Sequence, residues 1–391
     1  MKYLDYQFDR IQFNGLDLSS RLAGIPTPSF LYFPERFKDN LRQIDQNLSK
    51  LKIQAFYAYK ANYYQSLIPE IIRTGSGVEV MSGQELNSVL KLGFNASRII
   101  FNGVGRSSSA LEQAIRLGVD AIVADNPAEL DLIAGISKKL SRETSVFFRF
   151  YPFWESKIIP RSFIPKFYKL GIQDQDELAA MLSIIGKNPL LKLRGLSFHI
   201  AVKALTSSLH YESLILIYQT FLELKKQQPF LDTISIGGGF ESRYLLERQG
   251  MDITTLLKPV SEFIRGKSEI RRLIIEPGRY LVNDCFLGLA SVLNVKKNFP
   301  GIWYLLDLGT NVLVPRPNAY FEIYPLRWKK GPLYTSSFGD GLCSSNSVIA
   351  RNLYLPELQS GDQVLIANCG AYTMNQGSNF GYPLPEIQEI C

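Results

Sequence analysis

The chain has 391 residues, long enough for two domains with a sizeable core. Apolar residues make up 46% and charged residues 20%, which excludes a disordered chain, and no apolar run is long enough for a membrane span. The net charge of +7 is spread, with small clusters at Lys296-Lys297, Lys329-Lys330 and Arg271-Arg272; no arginine-rich helix or aromatic–basic array suggests nucleic acid.

The N-terminus, Met1-Lys2-Tyr3-Leu4-Asp5-Tyr6, lacks the apolar core of a signal peptide. Cys285, Cys343, Cys369 and Cys391 show neither metal-ligand nor disulfide-framework spacing, and two histidines exclude a histidine-rich metal site. A reduced, cytoplasmic protein without a metal is the simplest expectation.

Residues 1–28 have no clear pattern. Phe30-Leu31-Tyr32-Phe33 reads as a strand, and Pro34 opens a helix running to about Leu51. Apolar strand-like runs then begin near residues 54, 77, 99, 121 and 144, at spacings of 23, 22, 22 and 23. The spacing predicts helices between them, including Tyr63–Ile72, Gly83–Leu92, Ser109–Leu117 and Ala128–Lys138. Further strands are expected near 193, 233 and 272, separated by helices at Tyr211–Lys225 and Ile253–Arg265. Eight strands alternating with helices imply a parallel sheet, and eight units of even size favour a closed (β/α)8 TIM barrel over a doubly wound open sheet.

After Tyr280 the long helices stop. Short apolar runs at Leu281–Val282, Leu287–Val295, Ile302–Leu306, Tyr320–Tyr324 and Gln363–Ala367 alternate with turn residues, which reads as a C-terminal all-β domain. The expected division is a barrel over 29–280 and a β domain from 1–28 and 281–391.

In a barrel, chemistry sits at the C-terminal ends of the strands. Lys60 ends the first, Glu79 lies late in the second and Arg149 late in the fifth. His199 ends the sixth, Gly237-Gly238-Gly239 the seventh and Glu276-Pro277-Gly278-Arg279 the eighth. A desolvated lysine is a nucleophile toward a carbonyl, and exposed N–H groups of a glycine turn commonly hold a phosphate. A nucleophilic amine, a phosphate cradle, a flat ring and a carboxylate are the four parts that pyridoxal 5′-phosphate needs.

With those residues in place, the chain resembles the fold-type III pyridoxal-phosphate decarboxylases, the family of diaminopimelate, ornithine and arginine decarboxylases. The resemblance rests on Tyr57-Ala58-Tyr59-Lys60-Ala61-Asn62, Glu79-Val80-Met81-Ser82-Gly83-Gln84-Glu85-Leu86, Lys169-Leu170-Gly171-Ile172, Ser197-Phe198-His199, Gly237-Gly238-Gly239-Phe240 and Glu276-Pro277-Gly278-Arg279. It continues through Asp307-Leu308-Gly309, Arg316-Pro317-Asn318-Ala319-Tyr320, Cys343 and Gly370-Ala371-Tyr372-Thr373, in family order along nearly the whole chain. It implies that Lys60 carries the cofactor, His199 stacks on its ring and Glu276 pairs with the pyridine nitrogen. It also implies that Gly237, Gly238, Gly239, Gly278 and Tyr372 hold the phosphate, with Glu79 and Arg149 beside the cofactor. Arg279, Arg316, Tyr320 and Ser344 would line the substrate side with Tyr372. Cys343 would return a proton to Cα, and in the family it comes from the neighbouring subunit, so a homodimer with shared active sites is implied.

Two segments depart from that pattern. The family's cysteine is usually followed by an acid, a serine, any residue and an aspartate, whereas this chain reads Cys343-Ser344-Ser345-Asn346-Ser347. An ammonium at the far end of a substrate would lose its ionic partner at a cost of several kcal/mol. The segment after His199, usually Gly-Ser, is Ala201-Val202, which removes one hydroxyl from the phosphate site. The expected substrate is therefore an amino acid or amino-acid conjugate lacking a free distal amine, such as a glutamyl group on an acyl-carrier protein or a siderophore or antibiotic precursor. The alternatives are a diaminopimelate- or ornithine-type decarboxylase acting on a free diamino acid, a racemase or epimerase on the same cofactor, and a catalytically inactive regulatory homologue.

Overall fold

The structure is a computed structural model that describes residues 3–151, 169–199, 208–298, 301–314 and 320–391. Eight parallel strands close into a barrel: Ile53–Ala58, Gly77–Val80, Ile99–Phe101, Ala121–Ala124, Thr144–Phe150, Leu191–Phe198, Thr233–Ser235 and Arg272–Ile275, the last pairing back onto the first. All eight were expected from the apolar runs. The strands are apolar on both faces because each is buried by the ring interior on one side and by helices on the other.

The interior fills by pairing large residues with glycine. Phe56 of the first strand lies beside Gly77 of the second, and Phe147 of the fifth beside Gly195 of the sixth. A Cβ on Gly77 would fall 2.2 Å from the Phe56 ring, and one on Gly195 would fall 2.6 Å from Phe147. These rings pack with Ile100, Ala121, Val123 and Ile274 into a buried cluster.

Between the strands, helices begin where a short polar side chain accepts the first orphan N–H. Ser82 caps Gly83–Lys91, Ser107 caps Ser108–Leu117, Asn126 caps Pro127–Leu140 and Asp252 caps Ile253–Ile264. The helix expected over Tyr63–Ile72 starts later, at Leu67, and ends at Thr74. Asn62 is extended, and its side chain accepts the N–H of Tyr64 at 2.9 Å, a local turn that competes with helix.

Clustering of backbone contacts gives two compact units. One holds the barrel, Leu41–Glu241 and Leu246–Gly278; the other is Met1–Asn40, Ser242–Leu245 and Arg279–Cys391. The strand Ser29–Tyr32 belongs to the second unit, where it pairs with Phe286–Asn298 and Glu386–Glu389. The long strand Phe286–Asn298 organises that unit: its first half pairs with Gln363–Ala367 and its second half with Gly301–Leu306. Leu281–Val282, read as a strand, lies in the helical turn Arg279–Val282, since two apolar residues carry no period. Strands Leu333–Asp340 and Val348–Pro356 are additional to the sequence reading. Asn352 sits at φ 57 inside the second, which breaks the alternation that would announce it. Among the described residues, no helix is long and apolar enough to cross a membrane.

Candidate active site

Lys60 sits in the short turn Tyr59–Ala61, directly after the first barrel strand. The backbone N–H of Ala58 donates to the Pro277 carbonyl at 3.2 Å, which stitches the ends of the first and eighth strands together. Lys60 Nζ lies 2.5 Å from Glu79 Oε2 on the second strand. Glu79 is fully buried, and among the described residues its other oxygen, Oε1, has no hydrogen-bond partner. An ion pair with one open acceptor inside a barrel mouth is costly unless a further donor arrives.

Glu276 follows the eighth strand and is buried; its Oε1 accepts the hydroxyl of Ser235, from the seventh strand, at 2.9 Å. Burial pushes its carboxyl up to about 7, with the nearby Glu79 charge adding to the rise and Lys60 opposing it. Such a group exchanges its proton near neutral pH.

The triglycine turn lies between these residues and His199. The Gly237 carbonyl accepts the N–H of Glu276 at 2.8 Å, and the Gly238 N–H donates to His199 Nδ1 at 3.1 Å. His199 therefore carries its proton on Nε2. Burial first, and then the neighbouring Lys60 and Arg149 charges, hold its pKa well below the ordinary histidine value, so the ring is neutral. Gly237 has φ 67 and Gly239 φ 91, backbone that disfavours other residues. A Cβ on Gly238 would fall 2.5 Å from the Glu276 carbonyl oxygen, and one on Gly237 2.5 Å from that of Phe198.

Arg149 is on the fifth strand, with Nε 3.9 Å from Asp125 Oδ1. Asp125 also accepts the N–H of Gly171 at 2.9 Å, which ties down the turn of the Lys169–Ile172 segment. Neither Asp125 nor Ser235 was singled out from sequence; each acts across strands, a relation that local pattern does not carry.

The structure thus brings Lys60, Glu79, Arg149, His199, Gly237, Gly238, Gly239 and Glu276 to one end of the barrel, and Gly278 ends that unit. Arg279, Tyr320, Cys343, Ser344 and Tyr372 belong to the second unit. There the Arg279 guanidinium lies 5.5 Å from the centre of the Tyr372 ring, and Tyr372 has φ 59, uncommon for a bulky residue. Tyr320 is half exposed, and Cys343 and Ser344 lie on an exposed loop between Leu333–Asp340 and Val348–Pro356. Arg316 and Ala201-Val202 lie outside the described residues.

The barrel residues fit pyridoxal 5′-phosphate. Lys60 is a partly buried amine at a strand end, Glu276 an acid poised near neutrality, His199 a neutral flat ring and Gly237–Gly239 a backbone cradle that a side chain would fill. The fold and this set of groups define a cofactor-dependent barrel enzyme that works through an amine.

The family model described as "Pyridoxal-dependent decarboxylase, pyridoxal binding domain" matches residues 35–283, well over half of the chain. The chain belongs to this family: it is a pyridoxal-phosphate-dependent amino-acid decarboxylase. It is 29% identical to diaminopimelate decarboxylase of Campylobacter jejuni over 90% of this chain and 88% of that protein. It is 26% identical to the L-glutamyl-[BtrI acyl-carrier protein] decarboxylase of Niallia circulans, over 92% of this chain and 87% of that one. The fold matches the crystal structure of diaminopimelate decarboxylase from M. jannaschii with a TM-score of 0.90 at 23% identity, covering 100% of this chain and 93% of that one.

Proposed function

We propose that this protein decarboxylates an amino acid or amino-acid conjugate whose distal end carries no free amine. The observation that carries this reading is the loop after Cys343. Ser344 is exposed and neutral, and its Oγ accepts the N–H of Asn346 at 3.3 Å. Ser347, at the second acidic position of the family pattern, is turned to the protein: its Oγ lies 3.2 Å from Thr310 Oγ1. Asp340, just before the loop, is occupied by Leu342 N–H at 2.8 Å through Oδ1 and by the Thr310 N–H and hydroxyl through Oδ2. The described loop therefore offers a distal ammonium no uncommitted carboxylate. The name of the Niallia circulans relative, a decarboxylase of a carrier-bound glutamyl group, supports a conjugated substrate.

When bound, pyridoxal 5′-phosphate supplies a ring that accepts the electron pair freed as CO2 leaves. Lys60 is the amine that carries it, and Glu79 manages the proton on that amine. Glu276 holds the proton at the ring nitrogen, and Arg149 keeps positive charge beside the cofactor. His199 lends a neutral stacking face. Gly237, Gly238, Gly239, Gly278 and Tyr372 bind the phosphate. Arg279, Arg316, Tyr320 and Ser344 bind the substrate, and Cys343 returns a proton to Cα. That cysteine serves the neighbouring subunit's site in a homodimer, so mixing Lys60→Ala and Cys343→Ala proteins restores activity that neither has alone.

The reading is tested by incubating holoenzyme with free and conjugated amino acids and following CO2 and product mass. Turnover of lysine or diaminopimelate at or above that of every neutral-ended substrate would falsify it, and would favour the second reading, diaminopimelate decarboxylation, which the names of most relatives support. Solvent-deuterium exchange at Cα without CO2 would mark a racemase. An inactive homologue would lack the absorbance band near roughly 420 nm that a pyridoxal-bound lysine gives.

A further inference from the structure

His210, one of the chain's two histidines, has no part in the roles above. It lies in the helix Ser208–Lys225, is buried, and stacks on Phe240 with ring centres 4.6 Å apart and planes 7° apart. Its Nε2 is 2.8 Å from the Gly238 carbonyl oxygen. A carbonyl only accepts, so Nε2 carries the proton.

The triglycine turn contains two peptide units. The Gly237–Gly238 unit is fixed at both ends, its carbonyl by the Glu276 N–H and its N–H by His199 Nδ1. In the next unit, Gly238–Gly239, the carbonyl is held by His210. A trans peptide sends C=O and N–H in opposite directions, so pinning the Gly238 carbonyl aims the Gly239 N–H away from His210. Both residues flanking that plane are glycines, and Gly239 sits at φ 91, so the plane has little intrinsic preference and a donor is what sets it.

We propose that His210 is a positioning residue for phosphate binding: it orients the Gly238–Gly239 peptide so that the Gly239 N–H is presented to the phosphate of the cofactor. The inference rests on the assignment of the triglycine turn as the phosphate cradle. Phe240 completes the device by fixing the imidazole plane.

The test compares His210→Gln, which keeps a donor near Nε2, with His210→Met, of nearly the same shape and no donor. Affinities of each apo-protein for pyridoxal 5′-phosphate and for pyridoxal are measured by fluorescence titration, alongside apo-protein melting. We expect the Met variant to bind pyridoxal 5′-phosphate at least about tenfold more weakly than the Gln variant, as for a lost buried hydrogen bond, with pyridoxal affinity unchanged between them. Should the Met protein not fold, His210→Phe, which keeps the ring on Phe240, replaces it. Equal affinity of donor and donor-less variants for pyridoxal 5′-phosphate overturns the inference, as does an equal loss for both ligands. The cradle is tested separately by Gly238→Ala: if that variant keeps wild-type preference for the phosphorylated ligand, the cradle assignment itself falls.

Discussion

Replacing Glu276 by Gln should stabilise the apo-protein at alkaline pH while removing its activity. Glu276 has an ordinary carboxyl value of 4.5 and about 7 in the folded chain, chiefly because it is buried. The folded state therefore binds this proton more tightly than the unfolded chain. Stability from the neutral carboxyl is complete below 4.5 and is lost as pH rises to 7. The gap of about 2.5 pH units corresponds to roughly 3 kcal/mol at about 1.36 kcal/mol per unit. Gln cannot ionise, and its carbonyl oxygen can accept the Ser235 hydroxyl as Oε1 does. Calorimetry of the two apo-proteins should show nearly equal melting at pH 5 and a Gln variant that melts roughly 4 °C higher at pH 8, given an unfolding entropy of about 2.1 cal/mol/K per residue over 391 residues. The same variant loads with cofactor but loses at least about a hundredfold in kcat, because a neutral amide cannot keep the ring nitrogen protonated. A variant that melts at or below wild type at pH 8, or that keeps most of its activity, refutes the reasoning.

Three further outcomes follow from the same geometry. Gly77→Ala puts a Cβ 2.2 Å from the buried Phe56 ring and should cost about 1–3 kcal/mol in chemical denaturation; an unchanged midpoint counts against the described barrel packing. Arg36→Ala strips the Asp284 carboxylate, fully buried and 2.6 Å from Arg36 Nη2, of its counter-charge and should cost about 3–5 kcal/mol, with a loss below about 1 kcal/mol contradicting a buried pair. Ser344→Asp should raise kcat/KM for free lysine or diaminopimelate about tenfold to a hundredfold, the range of a charge-assisted hydrogen bond; no gain on any diamino acid removes Ser344 from the specificity argument.

Most of the barrel is legible in the sequence because its strands are buried on both faces and read as bare apolar runs. Lys60, Glu79, His199, Glu276 and the glycines are legible for a related reason: each is a polar or small interruption where such a run ends. The second unit was harder to read. Leu333–Asp340 carries Thr335, Ser336 and Ser337, and Val348–Pro356 carries Arg351 and the left-handed Asn352, so neither shows clean alternation. Residues 3–28, left without assignment, form a three-stranded sheet of very short strands, Leu4–Gln7, Arg10–Phe13 and Leu16–Asp17. His210, Asp125 and Ser235 were illegible for another reason. Their partners Gly238, Gly171 and Glu276 are 28, 46 and 41 residues away, and only the packing of successive βα units side by side brings them together.

The altered loop and the retained barrel mouth carry different physical weight. Ser344 and Ser347 sit on or beside an exposed loop, where exchanging an acid for a serine changes what can be bound and costs the fold little. The barrel mouth is the opposite case. Two buried carboxylates, Glu79 and Glu276, raise each other's energy there; one oxygen of Glu79 is unpaired among the described residues, and a lysine only partly offsets the pair. Replacing such charges by apolar residues of similar size is commonly neutral or stabilising. A chain with no chemistry to perform would gain stability by losing them, and this chain keeps all three while altering the loop. That pairing of a costly intact centre with a changed rim is what the proposed change of substrate requires.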